Sequence, residues 1–176
     1  MDPRAQSWHP RFIASLARKL KSRNYLEVGV YRGETFRKVA KQVENAMAID
    51  IDPQALRAVQ RVANGEKFLG TLQEFAITNP ARMFDLVFID ANHDQKAVFE
   101  DFASAAKLTE QHGLILLHDT WPKNRAFSSQ NFCGDAFIAV SRIRESFPEW
   151  HCVTLPIHPG LTICQRVSST PDALWV

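Results

Sequence analysis

The stretch that most constrains this chain is Tyr25-Leu26-Glu27-Val28-Gly29-Val30-Tyr31-Arg32-Gly33-Glu34-Thr35. Tyr25, Leu26 and Val28 form a short apolar, β-prone run, the pattern of a strand buried on both faces of a parallel sheet. Gly29 and Gly33 follow, and Glu34-Thr35-Phe36 begins a helical pattern. A strand that passes through glycines into a helix builds an anion or nucleotide site. The missing side chains let the backbone approach a ligand, and the helix N-terminus offers unpaired N–H groups. A dinucleotide fingerprint would place a glycine where Glu27 stands, so that a pyrophosphate could lie on the backbone. An acid there suits a ligand that carries a positive charge.

The rest of the chain repeats this strand–helix alternation. Phe12, Ile13, Leu16, Ala17 and Leu20 recur at helical spacing and predict an amphipathic helix over 10–22. The motif strand leads into a helix over about 34–43. Ala46 to Ile49 form a second strand ending at Asp50. Asp52-Pro53 then starts a helix, with Asp as N-cap and Pro at the first position, that Asn64-Gly65 is expected to close. Lys67 to Leu69 form a third strand, and Thr71 caps a helix running to about Asn79. Phe84 to Ile89 form the fourth strand, followed by a helix over 95–108. Gly113 opens the fifth strand, which runs to His118-Asp119. A polar connection over 120–134, long enough to cover a site, leads to a helix from Asp135 to Phe147. Two last strands, 150–155 and 161–166, are joined too closely for a crossover and must be antiparallel. The expected fold is therefore α/β: a doubly wound, mostly parallel seven-stranded sheet with an antiparallel C-terminal edge hairpin. One domain is expected over 1–176, with its core over about 24–166 and a tail over 167–176.

Composition narrows the function classes. With 21 basic and 19 acidic side chains in 176 residues, the net charge of +2 is too weak to imply a nucleic-acid partner. The six Lys or Arg against one acid in the first 23 residues read as a solvated helix face. No apolar run approaches the ~18 residues of a membrane span. Cys133, Cys152 and Cys164 are odd in number and lack metal-type spacing, so reduced thiols in a cytoplasmic protein are expected.

In such sheets ligands bind at the carboxyl ends of the strands, where Glu27, Asp50, Asp90, His118 and Asp119 stand. Asp50, at the end of the second strand, is placed to accept the ribose hydroxyls of a nucleoside. Asp90, Asn92, His93 and Asp94 follow one apolar strand and His118-Asp119 another. Neighbouring strands bring the two groups together as either a divalent-metal site or an acid–base pair. Asp94 reads as a helix cap. His9, His112, His151 and His158 read as surface or loop residues.

Leu26 to Gly33 resembles motif I of class I S-adenosylmethionine-dependent methyltransferases, particularly the branch that includes catechol O-methyltransferase. Phe88-Ile89-Asp90-Ala91-Asn92-His93 with Val98 and Asp101, then Gly113 to Thr120, resemble the methyltransferase type called family 24, and Gly160 to Ile163 is similar to its closing strand. The resemblance covers about residues 10–166. It implies S-adenosyl-L-methionine as cofactor, with Glu27, Gly29, Val30, Tyr31 and Gly33 lining its methionine part. Asp50 would take the ribose and Ile51 the adenine side, with Thr71, Leu72 and Gln73 at the adenine edge and Asp90 near the reacting centre. It also implies a small-molecule or sugar hydroxyl as acceptor and a possible homodimer. In metal-dependent relatives an acid after the fourth strand and two ligands after the fifth hold a divalent cation. Here that set is Asp90, His118 and Asp119, with Mg²⁺, Mn²⁺, Fe²⁺ or Zn²⁺ as the candidate ion. Sugar O-methyltransferases align two acids with His118 and Asp119, whereas the catechol type aligns Asp-Asn with Asp119 and Thr120. Without a metal, His93 or His118 is the natural base. Two other classes fit the same pattern: an NAD(P)-binding dehydrogenase-like domain and a non-catalytic nucleotide-binding module.

Overall fold

The computed structural model describes residues 8–167. Seven strands form one sheet in the order β3-β2-β1-β4-β5-β7-β6. They are β1 (Asn24–Val28), β2 (Asn45–Asp50), β3 (Gly65–Leu69), β4 (Phe84–Ile89), β5 (Thr109–His118), β6 (Trp150–Leu155) and β7 (Leu161–Arg166). The first five run parallel; β7 pairs antiparallel with both β5 and β6, as its short link to β6 requires. The chain order reverses between β1 and β4, which places the crevice at the carboxyl ends of those two central strands.

Period-2 alternation sorts each central strand into two layers. On one face Leu26, Val28, Met47, Ile49, Val87 and Ile89 pack against α4 (Leu72–Thr78), α5 (Gln95–Leu108) and α6 (Ala136–Ser146). On the other, Tyr25, Ala46, Ala48, Leu86 and Phe88 meet α1 (His9–Leu20), α2 (Glu34–Val39) and α3 (Pro53–Ala58). Glu27 shares Tyr25's face, so it points into the second apolar layer.

The caps foreseen at Asp52, Thr71 and Asp94 are all formed. Asp52 accepts from Gln54 N at 2.8 Å, Thr71 and Glu74 make a reciprocal capping box, and Asp94 accepts from Lys96 N and Ala97 N. Several boundaries differ from the sequence reading by a few residues, and three of them have a visible cause. α3 stops at Ala58 rather than at Asn64-Gly65. Val59 leaves the helical conformation, and Asn64 instead donates to the carbonyls of Ala40 and Val43, tying down the loop before β3. α2 is shorter than expected and tightens into a 3₁₀ turn at Ala40–Gln42. β5 begins at Thr109 rather than Gly113, because the pairing with β4 shifts register between Phe84 and Leu86. The foreseen tail falls almost wholly outside the described residues. Among those described, no helix is long and apolar enough to cross a membrane.

Candidate active site

A cleft of about 660 Å³ opens along the carboxyl ends of β3, β2, β1 and β4. The volume is in the range of small-molecule and cofactor sites. Gly29 sits on its floor with φ +83°, and a Cβ there would lie 2.3 Å from the Asp90 carbonyl oxygen. The turns after β1 and β4 therefore touch backbone to backbone, and only glycine permits it. Asp50 locks the glycine turn from the neighbouring strand: its Oδ2 accepts from Val30 N at 2.7 Å and Tyr31 N at 3.3 Å, and its Oδ1 from Asp52 N at 2.9 Å. Four lone-pair sites on a carboxylate leave room for ligand hydroxyls as well. Ile51 and Tyr31, 74% and 73% exposed, form the rim, and Thr71, Leu72 and Gln73 the far wall.

Of the residues foreseen for the cofactor, Gly29, Tyr31, Asp50, Ile51, Thr71, Leu72, Gln73 and Asp90 line this cleft. Glu27, Val30 and Gly33 stand behind it. Gly33 (φ +68°) forms the turn into α2 against Val59, and Val30 is a core residue. Glu27 is 1% exposed and accepts a 2.6 Å hydrogen bond from the Tyr25 hydroxyl. Burial pushes its carboxyl up to about 8, so near neutral pH it holds a proton. The acid that distinguishes the motif is thus a neutral wall residue in this structure rather than a free charge in the cleft.

Asp101, Glu100, Ala97 and Gln130 also line the cleft, and the sequence reading gave them no role. Asp101 accepts from Gln73 Nε2 at 2.9 Å, and burial raises its carboxyl to about 6. Its signal was legible: an acid between Val98 and Phe102 on the apolar stripe of α5.

At the β4 and β5 end of the cleft the two foreseen polar groups converge. His118 Nδ1 lies 2.9 Å from Asp90 Oδ1 and 3.2 Å from Asp119 Oδ2. His93 Nε2 lies 2.9 Å from Asp119 Oδ2 and 3.9 Å from Asp90 Oδ1. Asp119 reaches this position from a left-handed backbone (φ +60°). Burial opposes charge at His118, but Asp90 and Asp119 outweigh it and lift the imidazole to about 10. Hydrogen bonding to Asp119 likewise raises His93. Asp119 is held well below the usual carboxylate range, the two histidines outweighing its burial.

Two groups of donors converge within 4.8 Å: His9 with Asp90 and His118, and Asp90 with His93 and Asp119. They share Asp90 and divide the foreseen metal ligands between them. Within that foreseen set, both carboxylates already face His118 Nδ1, so a cation held by all three would displace this imidazole hydrogen bond. His9 corrects the sequence reading: it is not a surface residue but is buried at the start of α1, its ring centroid 4.0 Å from that of His118. Burial and the His118 charge lower it to about 4, so it is neutral.

The foreseen 120–134 connection carries a 3₁₀ turn at Arg125–Ser128, and its end is fastened to the site. Asp135 N donates to the His93 carbonyl at 3.0 Å, and the Asp135 carboxylate accepts from Gln95 N and Nε2. Gly134 packs so closely on the His93 backbone that no side chain fits there.

Strand order, glycine turn and cleft define an α/β domain of the doubly wound kind, with its cleft at the switch point. Residues 26–120, more than half of the chain, match the family 24 methyltransferase domain, and the chain belongs to that family. Among solved structures it superposes on the O-methyltransferase TomG from Streptomyces achromogenes, involved in tomaymycin synthesis and in complex with SAM. The identity is 18%, the TM-score 0.73, and 91% of this chain and 80% of that one are covered. An O-methyltransferase from Bacillus cereus in complex with SAH matches with 18% identity and TM-score 0.72 over 90% of this chain and 80% of that one. The SAH-bound Podospora anserina methyltransferase PaMTH1 matches with 20% identity and TM-score 0.73, covering 91% and 78%. At these identities the likeness is one of fold. No curated protein sequence matches the chain.

Proposed function

We propose that this protein is an S-adenosyl-L-methionine-dependent O-methyltransferase acting on a hydroxyl of a small molecule or sugar, with His93 as general base. The observation that carries the reading is the 2.9 Å contact of His93 Nε2 with Asp119, at the cleft end where Asp90 stands. The family supports methyl transfer, and the two neighbours named as O-methyltransferases, one with SAM and one with SAH bound, support the donor and the hydroxyl acceptor.

In this reading Asp50 takes the ribose hydroxyls, Ile51 and Leu72 bracket the adenine, and the turn after Gly29 receives the methionine part. The acceptor oxygen attacks the sulfonium methyl in line, the carbon–sulfur bond breaks, and its electron pair stays on sulfur. Most of the acceleration comes from positioning the two reactants. The acceptor proton passes to His93 Nδ1, while Nε2–H stays on Asp119. Asp119 stabilises the imidazolium that forms. Gln130 and the fastened end of the 120–134 connection supply part of the acceptor wall. The unpaired thiols of Cys133, Cys152 and Cys164 support a cytoplasmic setting.

Calorimetry with S-adenosylmethionine, S-adenosylhomocysteine and NAD, followed by a screen of acceptor pools with labelled methyl donor, tests the proposal. Binding of the methyl donor and its product, with label entering a small hydroxylated compound only when His93 is intact, is the expected result. Binding of NAD alone overturns it in favour of a dehydrogenase-like domain. Label found only in RNA or protein overturns the acceptor class.

A further inference from the structure

Two of the three cysteines face each other across the edge hairpin: Cys152 on β6 is the register partner of Cys164 on β7. The Val167 amide donates to the Glu149 carbonyl at 2.8 Å, and alternation from that bond makes Cys152 and Cys164 a pair without ladder hydrogen bonds between them. In such pairs the Cα atoms stand about 4.5 Å apart, at the short end of the roughly 4.4–6.8 Å that a disulfide spans. The next pair of the same kind, Thr154 and Thr162, already brings its hydroxyl oxygens to 2.8 Å. The Cys152 and Cys164 sulfurs are in turn hydrogen-bonded to each other. Cys152 is half-buried and open to a small reagent, whereas Cys164 is fully buried.

We propose that Cys152 and Cys164 form a redox-modification site, which hydrogen peroxide closes to a disulfide between β6 and β7 and a dithiol reopens. Cys152 is the attacking sulfur. The hydrogen bond from Cys164 holds its thiol below the usual range against the effect of burial, and the Arg144 guanidinium, which donates to the Cys152 carbonyl at 2.9 Å, adds to this. Cys164 is pushed well above that range by the same bond and by burial, and it keeps its proton. The Cys152 thiolate attacks one peroxide oxygen, the O–O bond breaks, and the departing hydroxide becomes water with the proton that Cys152 released. The Cys164 sulfur then attacks the resulting sulfenic acid, the S–O bond breaks, and hydroxide leaves as water with the Cys164 proton. Two thiols thus lose two electrons and two protons, and one peroxide becomes two waters. The edge strand leaves Cys152 within reach of a reductant, and exposed disulfides are the labile kind, so the bond is a reversible mark rather than a permanent brace. Cys133 is too enclosed to compete: it is 1% exposed, and burial pushes its thiol up to about 12. Neither cysteine of the pair lines the cofactor cleft, and the site does not depend on the methyl-transfer reading.

The test uses the full chain, reduced, freed of reductant and treated with one equivalent of hydrogen peroxide. Free thiols counted in denaturant are expected to fall from the three of the sequence to one, and peptide mass mapping to find Cys152 joined to Cys164. Dithiothreitol should bring the count back to three. Cys164→Ser should halt the reaction at a sulfenic acid on Cys152 that dimedone labels, whereas Cys133→Ser should form the bridge as wild type does. The wild-type map requires no variant to fold. Three thiols surviving peroxide, a bridge that includes Cys133, a disulfide between two copies on a non-reducing gel, or a loss that dithiothreitol does not restore overturns the proposal. Calorimetry with S-adenosylmethionine on the reduced protein tests the methyl-donor reading separately.

Discussion

Glu27→Gln isolates the energetic consequence of placing an acid on the apolar face of β1. The carboxyl is 1% exposed, and burial raises it from an ordinary 4.5 to about 8 in the folded protein. Between those values the folded state holds a proton that the unfolded chain has released. This contribution to stability is complete below pH 4.5 and is lost as pH rises through about 8, at roughly 1.4 kcal/mol per unit. Glutamine keeps the shape and can still accept from the Tyr25 hydroxyl, now 2.6 Å from the carboxylate, but has no proton to release. Groups common to both proteins cancel in the difference. Urea unfolding of wild type and variant at pH 6 and pH 8 should therefore show the variant gaining about 2–3 kcal/mol on wild type between the two conditions. A difference that stays the same at both pH values would mean that Glu27 ionises in place, and would refute the burial argument.

Gly29→Ala forces a side chain into φ +83° and sets its Cβ 2.3 Å from the Asp90 carbonyl oxygen, so thermal or urea unfolding should register a loss of about 2–4 kcal/mol. The same change parts the turns after β1 and β4, and calorimetry should show weakened binding of S-adenosylmethionine. His93→Ala should lower kcat by about 10²–10⁴-fold while cofactor affinity changes little; a comparable fall in affinity would point to cofactor binding rather than proton transfer. Asp94→Ala removes only the cap of α5, so it should cost about 1 kcal/mol of stability and leave cofactor affinity untouched.

Sequence alone determined the architecture, because local rules act on it directly. Continuous apolar runs such as Phe84 to Ile89 specify strands covered on both faces, and Asp52-Pro53, Thr71 and Asp94 start helices through bonds to backbone two or three residues away. The short link between β6 and β7 allows nothing but an antiparallel pair. The polar ends of strands were legible for the same reason, since a doubly wound sheet gathers them at one edge. Tertiary structure decided what the linear pattern leaves open. Gly29 could be read as a ligand-facing glycine, but only the fold shows that it also makes room for the Asp90 carbonyl. The charge state of Glu27 depends on which layer Tyr25 and Glu27 face and on how tightly α2 closes over them. His9 carried no local signal at all. It lies 109 residues before His118 in the chain, and the two rings meet only because α1 packs across the sheet beside Phe88. Pairings between distant residues follow from how layers stack, and no periodicity or cap in the sequence records them.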